Sequence, residues 1–223
     1  MARRFASTND YIGDFATVAA TTAMSVYGWV KNPSASGRIA THAQWIFLFD
    51  ASQRIQLVRE WASGTAIWHG DMTGITLANY NHYAITYDGA SSANDPLIYI
   101  NNQPVAVTED AAPVGANVVN TTSVWALGNR ASGIGAANLG GDLDWFGWHN
   151  AVLTQAQLRD AMNFGSSPVS QYRIVQLAGR SPELDTAGNT TGAVNGSTVV
   201  AAPSIQIGPG APGLVAAAGG GVF

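Results

Sequence analysis

Residues 82–89, HYAITYDG, and residues 97–105, LIYINNQPV, decide the fold of this chain. β-Branched and aromatic residues alternate in both runs; the first ends in Asp88-Gly89 and the second is interrupted by Asn101-Asn102. Alternation with period two is typical of strands, and Asp-Gly and Asn-Asn pairs tolerate the backbone angles of tight turns. The two runs therefore predict consecutive antiparallel strands joined by short turns.

Short alternating or apolar runs, separated by Gly, Asn, Asp and Ser, continue along most of the chain, a spacing typical of β-sandwiches. Further strands are predicted at residues 25–31, 45–50, 54–61, 65–69, 124–129 and 141–148. The run at residues 45–50 is apolar on both faces, which predicts a strand covered on both sides. Thr154 and Gln157 have the spacing of a capping box, which predicts one short helix after residue 154.

Composition limits the classes of function. The 223 residues suffice for one sandwich with a sizeable core. Charged residues make up 11%, the net charge is -4 and no basic block occurs, which argues against a nucleic-acid partner. The absence of cysteine excludes disulfides and thiolate metal sites. No apolar run has the length of a membrane span or a signal peptide, so we expect synthesis in a cytoplasm without a signal peptide and no membrane partner.

The hairpin at residues 82–105 resembles the W-H-x-V-A-x-T-Y-D-G … L-Y-V-N-G motif of laminin G-like and pentraxin-like domains. Residues 4–12, 24–31 and 139–158 are similar to further motifs of this group and follow in the same order, so the resemblance covers roughly residues 3–165. It implies an all-β, concanavalin A-like jelly-roll sandwich of two antiparallel sheets with one short helix.

Residues 172–194 resemble the segment that usually opens such a domain, although here they follow the helix. The resemblance therefore implies an arrangement like that of a circular permutant, which the close termini of a sandwich permit. We expect one domain at residues 1–202, closed by residues 172–200, which should pair beside the N-terminal strand around residues 5–12. Three residues depart from the family pattern: Tyr80 replaces a Trp, Asn102 a turn Gly, and Trp145 an acidic residue.

Trp61 and Trp68 are the candidate glycan-binding residues, because flat aromatic rings stack on the apolar faces of sugars. If the hairpin turns at Ser63-Gly64, Trp61 pairs with Ala66 and Trp68 lies on the same face. A position in the core or a subunit contact is the alternative for both rings. The remaining tryptophans fall in alternating apolar strands and are predicted to be core residues: Trp29, Trp45, Trp125, Trp145 and Trp148.

No metal or catalytic motif stands out. Relatives in the resembling group often hold calcium in rim loops through oxygen ligands, so Asn94 and Asp95 are the candidate calcium ligands, with a plain turn as the alternative. Glycoside hydrolases of this fold need two carboxylates, and the best pair, Asp142 and Asp144, is better explained as part of the strand framework. The chain is therefore predicted not to be an enzyme and to need no cofactor apart from such a calcium ion.

Residues 203–223 form an uncharged C-terminal arm rich in Gly, Pro and Ala. Because Gly and Pro disfavour helix and permit an extended path over a neighbouring surface, the arm predicts a homo-oligomer, with a trimer favoured, or attachment to capsid or tail proteins. A flexible linker is the alternative. The arm's apolar contact residues are Ile205, Ile207, Leu214, Val215, Val222 and Phe223.

The low-charge surface, single-domain length and apolar arm resemble those of small virion proteins of tailed bacteriophages. This resemblance implies a non-enzymatic structural protein at the virion surface, a capsid decoration protein or tail appendage that also binds cell-surface glycans. A free carbohydrate-binding lectin is the alternative function, followed by a glycoside hydrolase.

Overall fold

The computed structural model describes residues 2–13, 22–119, 125–130, 137–163, 171–175, 183–185 and 190–200. Seventeen strands and one helix lie within these ranges. In chain order they are β1 (Ala2–Arg4), β2 (Tyr11–Gly13), β3 (Ala23–Lys31), β4 (Arg38–His42), β5 (Trp45–Phe49), β6 (Ile55–Trp61), β7 (Gly64–Gly70), β8 (Asn81–Asp88), β9 (Leu97–Ile100), β10 (Gln103–Val105), β11 (Val107–Ala111), β12 (Trp125–Leu127), β13 (Asp142–His149), α1 (Gln155–Met162), β14 (Gln171–Val175), β15 (Glu183–Asp185), β16 (Thr190–Asn195) and β17 (Thr198–Val200).

The strands pair antiparallel into two sheets. One, here called the open sheet, has the order β16-β2-β12-β4-β5-β6-β7-β11. The other, the covered sheet, has the order β10-β9-β8-β3-β13 and continues from β13 into β1 and β17 at one end and into β14 and β15 at the other. β16 also pairs with β15 and so joins the two sheets at one edge. The arrangement confirms the predicted jelly-roll sandwich of two antiparallel sheets with one short helix.

The strands after the helix pair with the N-terminal strands. In β16, Val194 lies opposite Ile12 of β2, and in β17, Val200 lies opposite Ala2 of β1. This is the pairing that the sequence predicts for residues 172–200. It adds β16 to the open sheet beside β2 and β17 to the covered sheet beside β1. The C-terminal arm at residues 203–223 lies outside the described residues, and the domain boundary at residue 202 stays a prediction.

Aromatic side chains fill the space between the sheets. Trp148 of the covered sheet lies 5.0 Å from Trp45 and 6.3 Å from Trp125 of the open sheet, measured between ring centroids. Phe146, two residues before Trp148, stacks on Trp125 at 5.6 Å. All four side chains are at most 1% exposed, and aromatic pairs at such distances add to the stabilisation from their burial. The predicted core role of these three tryptophans is confirmed.

The turn between β9 and β10 has the predicted geometry. Asn101 and Asn102 adopt φ values of 50° and 62°, in the left-handed region that Asn tolerates better than most residues. Asn101 also links the turn to the start of β8, since its Oδ1 accepts a hydrogen bond from the His82 backbone and its Nδ2 donates to Asn81 Oδ1, both at 2.9 Å.

Helix α1 lies on the outer face of the covered sheet. Thr154 is its N-cap and forms the predicted capping box with Gln157, which satisfies backbone donors at the start of the helix. Leu158 and Ala161 are buried and pack with Tyr27, Ala84 and Tyr99 of the sheet. In the described part of the chain, no helix is long and apolar enough to cross a membrane.

A buried cluster of rings lies beside the helix on the covered sheet. The Tyr27 ring lies 5.5 Å from His149 and 5.7 Å from His82, and its hydroxyl is 3.1 Å from His149 Nε2. Gly147 leaves room for this ring, because a Cβ there would collide with it. His82 is fully buried, and neither of its ring nitrogens has a hydrogen-bond partner. Burial disfavours the charged imidazolium and lowers the pKa of His82 to about 3.

His82 makes stability depend on pH. Between its pKa of about 3 in the folded protein and the ordinary value of 6.5, the unfolded chain binds a proton that the folded protein excludes. The free energy of unfolding should therefore fall as pH falls through this window, by about 1.4 kcal/mol per pH unit from this group. We expect His82→Phe, which keeps a ring but removes the titration, to flatten this slope in urea denaturation measured from pH 7 to pH 4. An unchanged slope would contradict the assignment.

Candidate functional site

Trp61 and Trp68 lie in the core, so the prediction that they stack on glycans is wrong. Their exposed fractions are 4% and 0%. The hairpin turns at Ala62-Ser63, one residue earlier than expected, so that Trp61 pairs with Gly64 and Arg59 with Ala66. The two rings do share a face of the open sheet, as predicted, but that face is the inner one. The reason is the alternation of side chains in a strand: Trp61 lies on the same face of β6 as Ile55 and Leu57, which are also core residues.

Trp29 and Trp145 occupy a different environment from the other tryptophans. Both are half-buried on the helix side of the covered sheet, and Trp29 Nε1 donates to the carbonyl oxygen of Met162 at 3.1 Å. Trp145 has a φ of 49° and lies in an irregularity of β13 between Asp144 and Gly147. The prediction that these two rings belong to the core is therefore only partly right, because the irregularity and the helix place them in a second, outer layer.

Asn94 and Asp95, the candidate calcium ligands, have other contacts in this structure. Asp95 Oδ1 accepts a hydrogen bond from Trp68 Nε1 at 2.8 Å, and Asn94 Nδ2 donates to the Asp88 carbonyl oxygen at 2.9 Å. Calcium requires six to eight oxygen ligands. No group of three or more His, Cys, Asp or Glu side chains that could hold a metal occurs among the described residues. The calcium site gains no ligand set from these contacts and stays a prediction.

Asp142 and Asp144 face the same side of the covered sheet, as their spacing predicts. Arg4 Nε and Nη2 donate to the two carboxylate oxygens of Asp142 at 2.7 and 2.9 Å, and this interaction raises the pKa of Arg4. Both aspartates are at most 4% exposed. A buried carboxylate held by both oxygens is poorly placed to exchange protons with a substrate. The contacts support the framework role that the sequence assigns to this pair.

The outer surface of the open sheet, here called the open face, combines aliphatic and polar side chains. Its central row runs across four strands through Thr41, Ile46, Val58 and Ile67, which are paired in register. The three aliphatic side chains of this row are half-buried rather than buried. The expectation that residues 45–50 form a strand covered on both sides is therefore wrong for Ile46, which points outward while its neighbours Trp45 and Phe47 fill the core.

A shallow pocket of about 180 Å³ lies at one end of the open face. The connection between β4 and β5 forms one wall, and β6 and β7 form the other; the lining residues are Ala43, Gln44, Trp45, Ile46, Val58, Glu60 and Thr65. Glu60 donates its backbone N–H to the Gln44 carbonyl oxygen at 2.9 Å and pairs with Thr65 across the β6–β7 hairpin. Strand pairing thus places three polar side chains around the pocket.

Gln44 is the unusual residue of this pocket. It is 2% exposed, and its side-chain Oε1 is buried without a hydrogen-bond partner. A buried acceptor that stays unpaired costs about 1–3 kcal/mol of stability. Glu60 and Thr65, in contrast, are exposed, and Ile46 and Val58 add an aliphatic strip beside them. Glu60 and Thr65 therefore offer an acceptor and a hydroxyl to a small polar ligand beside an apolar surface, while the Gln44 oxygen is buried in the pocket lining.

A chain of charged and polar side chains lies on the open face along the row from Gln56 to His69. Arg54 Nε donates to Asp50 Oδ2 and its Nη1 donates to His69 Nε2, both at 2.7 Å. The proton of the neutral imidazole is therefore on Nδ1, which donates to Asp110 Oδ2 at 2.7 Å. Although burial raises the pKa of Asp50, the hydrogen bonds from Arg54 lower it below its usual value. This chain is internally satisfied, which distinguishes it from Gln44.

Sequence reasoning missed the pocket residues because it looked for aromatic rings. A signal was present: in residues 55–61, IQLVREW, the residues at odd positions are mostly apolar, so an outward row of even positions includes the aliphatic Val58. An aliphatic residue in an outward row, beside another at Ile46, indicates a surface patch. The partnerless state of Gln44 Oε1 has no sequence signal, since it depends on the turn between β4 and β5.

The chain belongs to the concanavalin A-like lectin/glucanase superfamily, whose laminin G-like family model matches residues 6–159. This match confirms the resemblance inferred from the hairpin motif. No curated protein matches the chain in a sequence comparison.

Two solved structures with the same fold extend beyond the matched family region. A Bacteroides ovatus protein to which carbohydrate binding has been provisionally assigned superposes with a TM-score of 0.67 at 17% identity, over 92% of this chain and 61% of its own length. The native heptameric SAP-like pentraxin of Limulus polyphemus superposes with a TM-score of 0.59 at 18% identity, over 87% of this chain and 95% of its own. At these identities the similarity establishes the fold.

The core position of Trp68 can be tested by truncation. Trp68→Ala should lower the free energy of unfolding by about 3–5 kcal/mol, because it removes a fully buried ring that contacts Tyr87 and leaves a cavity. Thr65→Ala, an exposed change in the same strand, should alter it by less than about 0.5 kcal/mol. Urea denaturation followed by tryptophan fluorescence measures both. A Trp68→Ala variant as stable as the unmodified protein would refute the core placement.

Proposed function

We propose that this protein is a carbohydrate-binding module and that the pocket at Gln44, Glu60 and Thr65 is its binding site. One observation carries the proposal: Gln44 lines a surface pocket, and its buried Oε1 lacks a hydrogen-bond partner. Buried polar atoms are nearly always paired, and exceptions in native proteins often mark sites of function. A small movement of the Gln44 side chain toward the pocket would let a ligand hydroxyl donate to this oxygen and satisfy it.

The chemistry around Gln44 matches a sugar better than other small ligands. A sugar ring presents hydroxyl groups at its edge and apolar C–H groups on its face, and binding sites combine a few placed polar groups with apolar walls. Glu60 and Thr65 bond hydroxyl groups, and Ile46 and Val58 provide the apolar wall. A pocket of about 180 Å³ suits one ring of a glycan whose remaining units lie along the open face.

The relatives support binding without catalysis. Carbohydrate binding has been provisionally assigned to the Bacteroides ovatus protein, which shares the fold over 92% of this chain. In this chain, the carboxylate pair that comes nearest to a hydrolase site, Asp142 and Asp144, lies on the covered sheet rather than beside the pocket, and Asp142 is held by Arg4. We therefore propose a non-enzymatic module. Release of reducing sugar that Asp144→Asn abolishes would instead support the glycoside hydrolase.

The role as a capsid decoration protein or tail appendage of a bacteriophage stays a second proposal. It derives from composition and from the arm at residues 203–223, as do the homo-oligomeric state and the location at the virion surface. A virion protein with a glycan-binding face would attach particles to cell surfaces, so the two proposals are compatible. Deletion of residues 203–223, followed by measurement of the oligomeric state and of incorporation into particles, tests the second one separately.

Variants of the three polar pocket residues test the binding site. A glycan array with the unmodified protein identifies a ligand, and calorimetry then measures its affinity for each variant. Thr65→Ala and Glu60→Gln should weaken binding by about 1–2 kcal/mol each through lost hydrogen bonds, without loss of stability. Thr108→Ala, an exposed change on β11 at the far edge of the same sheet, is the matched control and should bind normally.

Gln44→Met gives the sharpest result because affinity and stability should move in opposite directions. Methionine has a similar shape and no polar atom, so the variant should bind more weakly while its thermal midpoint rises or stays unchanged. An array without any bound glycan, or pocket variants that bind like the unmodified protein, would overturn the proposed site.

A further inference from the structure

Two arginines lie next to each other at the opposite end of the open face from the pocket. Arg38 begins β4, and Arg130 follows shortly after β12. These strands are neighbours with Leu127 opposite Ala40, and the Gly128 N–H donates to the Ile39 carbonyl oxygen at 2.9 Å. The carbonyl oxygen of the next residue, Asn129, accepts a hydrogen bond from Thr41 Oγ1 at 3.0 Å, so Arg130 follows directly beside the open face. Strand pairing thus fixes Arg38 at this corner of the sheet, and the backbone contacts of Gly128 and Asn129 bring the charge of Arg130 close to it.

Arg38 points outward beside the central row of the open face. It pairs with Leu48, whose strand neighbours Phe47 and Phe49 fill the core, so Leu48 and Arg38 belong to the outer side of the sheet. Across the sheet the same outer row continues into Gln56 and His69. The guanidinium end of the open face and the pocket end are four residue steps apart, from Leu48 of β5 back to Gln44, which is about 13 Å in an extended chain.

The two guanidinium groups lack the partner that such a pair requires. Within the described ranges, no hydrogen bond or ion pair is formed by the side chain of Arg38 or Arg130. Arg38 is half-buried, and both burial and the charge of Arg130 lower its pKa. Arg4 and Arg54 on the same molecule are each paired with an aspartate. The corner at Arg38 therefore carries a desolvation cost and a like-charge repulsion that a bound anion would remove.

We propose that Arg38 and Arg130 form an anion site on the open face that takes the carboxylate of an acidic sugar. The inference rests on the proposed glycan-binding function and names its ligand class. Guanidinium groups present planar forks of N–H donors that match the two oxygens of a carboxylate. Glu60 at the other end of the face repels anions, so a glycan binds in one orientation, with its acidic unit at the arginines and a neutral unit in the pocket.

Titration of the full chain with three probes tests the anion site. Glucuronate carries the carboxylate, glucose is its neutral counterpart, and inorganic phosphate is an anion without a sugar ring. Followed by NMR at constant ionic strength, glucuronate should shift amide signals of β4 and β12 and bind at least tenfold more tightly than glucose or phosphate. Phosphate that binds as tightly as glucuronate would overturn the sugar assignment, and an absence of binding by both anions would overturn the site.

Arginine variants assign the binding to this corner. Arg38→Met keeps the aliphatic stem, Arg130→Gln changes an exposed side chain, and each should weaken glucuronate binding at least tenfold. Arg159→Gln, on the exposed side of α1, makes the same change of charge and should bind normally. At low salt without ligand, Arg130→Gln should melt no lower than the unmodified protein, because it removes a repulsion; a merely structural arginine would give a lower midpoint.

The outcomes separate this inference from the proposed function. If Thr65→Ala weakens binding of a neutral glycan while the arginine variants leave glucuronate binding unchanged, the anion site is wrong and the pocket stands. If the arginine variants abolish glucuronate binding while the pocket variants affect no glycan, the anion site stands and the pocket assignment is wrong.

Discussion

The contact between Trp148 of the covered sheet and Trp45 and Trp125 of the open sheet is the constraint on which the rest of the structure depends. Side chains in a strand alternate between two faces, so each ring held between the sheets also fixes the orientation of its neighbours. Because Trp45 is inside, Ile46 must be outside, and Gln44, in the turn before β5, is buried in the lining of the pocket. The surface that we assign to binding is therefore the complement of the core, and a one-residue slip of β5 would destroy both.

The two outer surfaces of the sandwich are used differently. On the covered sheet, helix α1 and the ring cluster around Tyr27 form a second apolar layer, which adds buried area at about 25 cal/mol per Å² but leaves little room for a ligand. Among the residues that the structure describes, no such layer covers Ile46 and Val58 on the open face, and both are half-buried. The open face is therefore the surface that we propose for recognition.

Local features of the fold were predictable from sequence, whereas the position of the site was not. The Asn101-Asn102 turn and the capping box at Thr154 depend on residues close together in the chain, so their sequence patterns are sufficient. The side on which Trp61 lies depends on the packing of the whole sheet. The alternation of side chains correctly predicted that Trp61 and Trp68 share a face of the sheet, but not whether that face is the inner or the outer one. The glycan-binding chemistry of aromatic rings favoured the outer face, which is wrong.

Arg59 shows why the pattern of β6 was ambiguous. It occupies an inward position between Leu57 and Trp61, where an apolar residue is the norm, and is fully buried. Burial lowers its pKa to about 10, while Asn117 accepts a hydrogen bond from Nη2 at 2.8 Å. A charged residue in an inner row weakens the alternation that distinguishes the two faces of a strand. The loop that contains Asn117, distant in sequence, helps to make this position tolerable.

An unpaired buried polar atom does not by itself mark a binding site, as His82 and Gln44 illustrate together. Both residues keep a buried ring nitrogen or amide oxygen without a partner. His82 lies among rings and under the helix layer, so packing offsets the free-energy cost of its unpaired nitrogens. Burial also lowers the pKa of its imidazole. Gln44 instead lines a pocket beside the exposed Glu60, so a small movement of its side chain would bring the oxygen to a ligand. A pocket beside the unpaired atom thus separates a candidate binding site from a purely structural defect, and the turn between β4 and β5 places Gln44 at such a pocket.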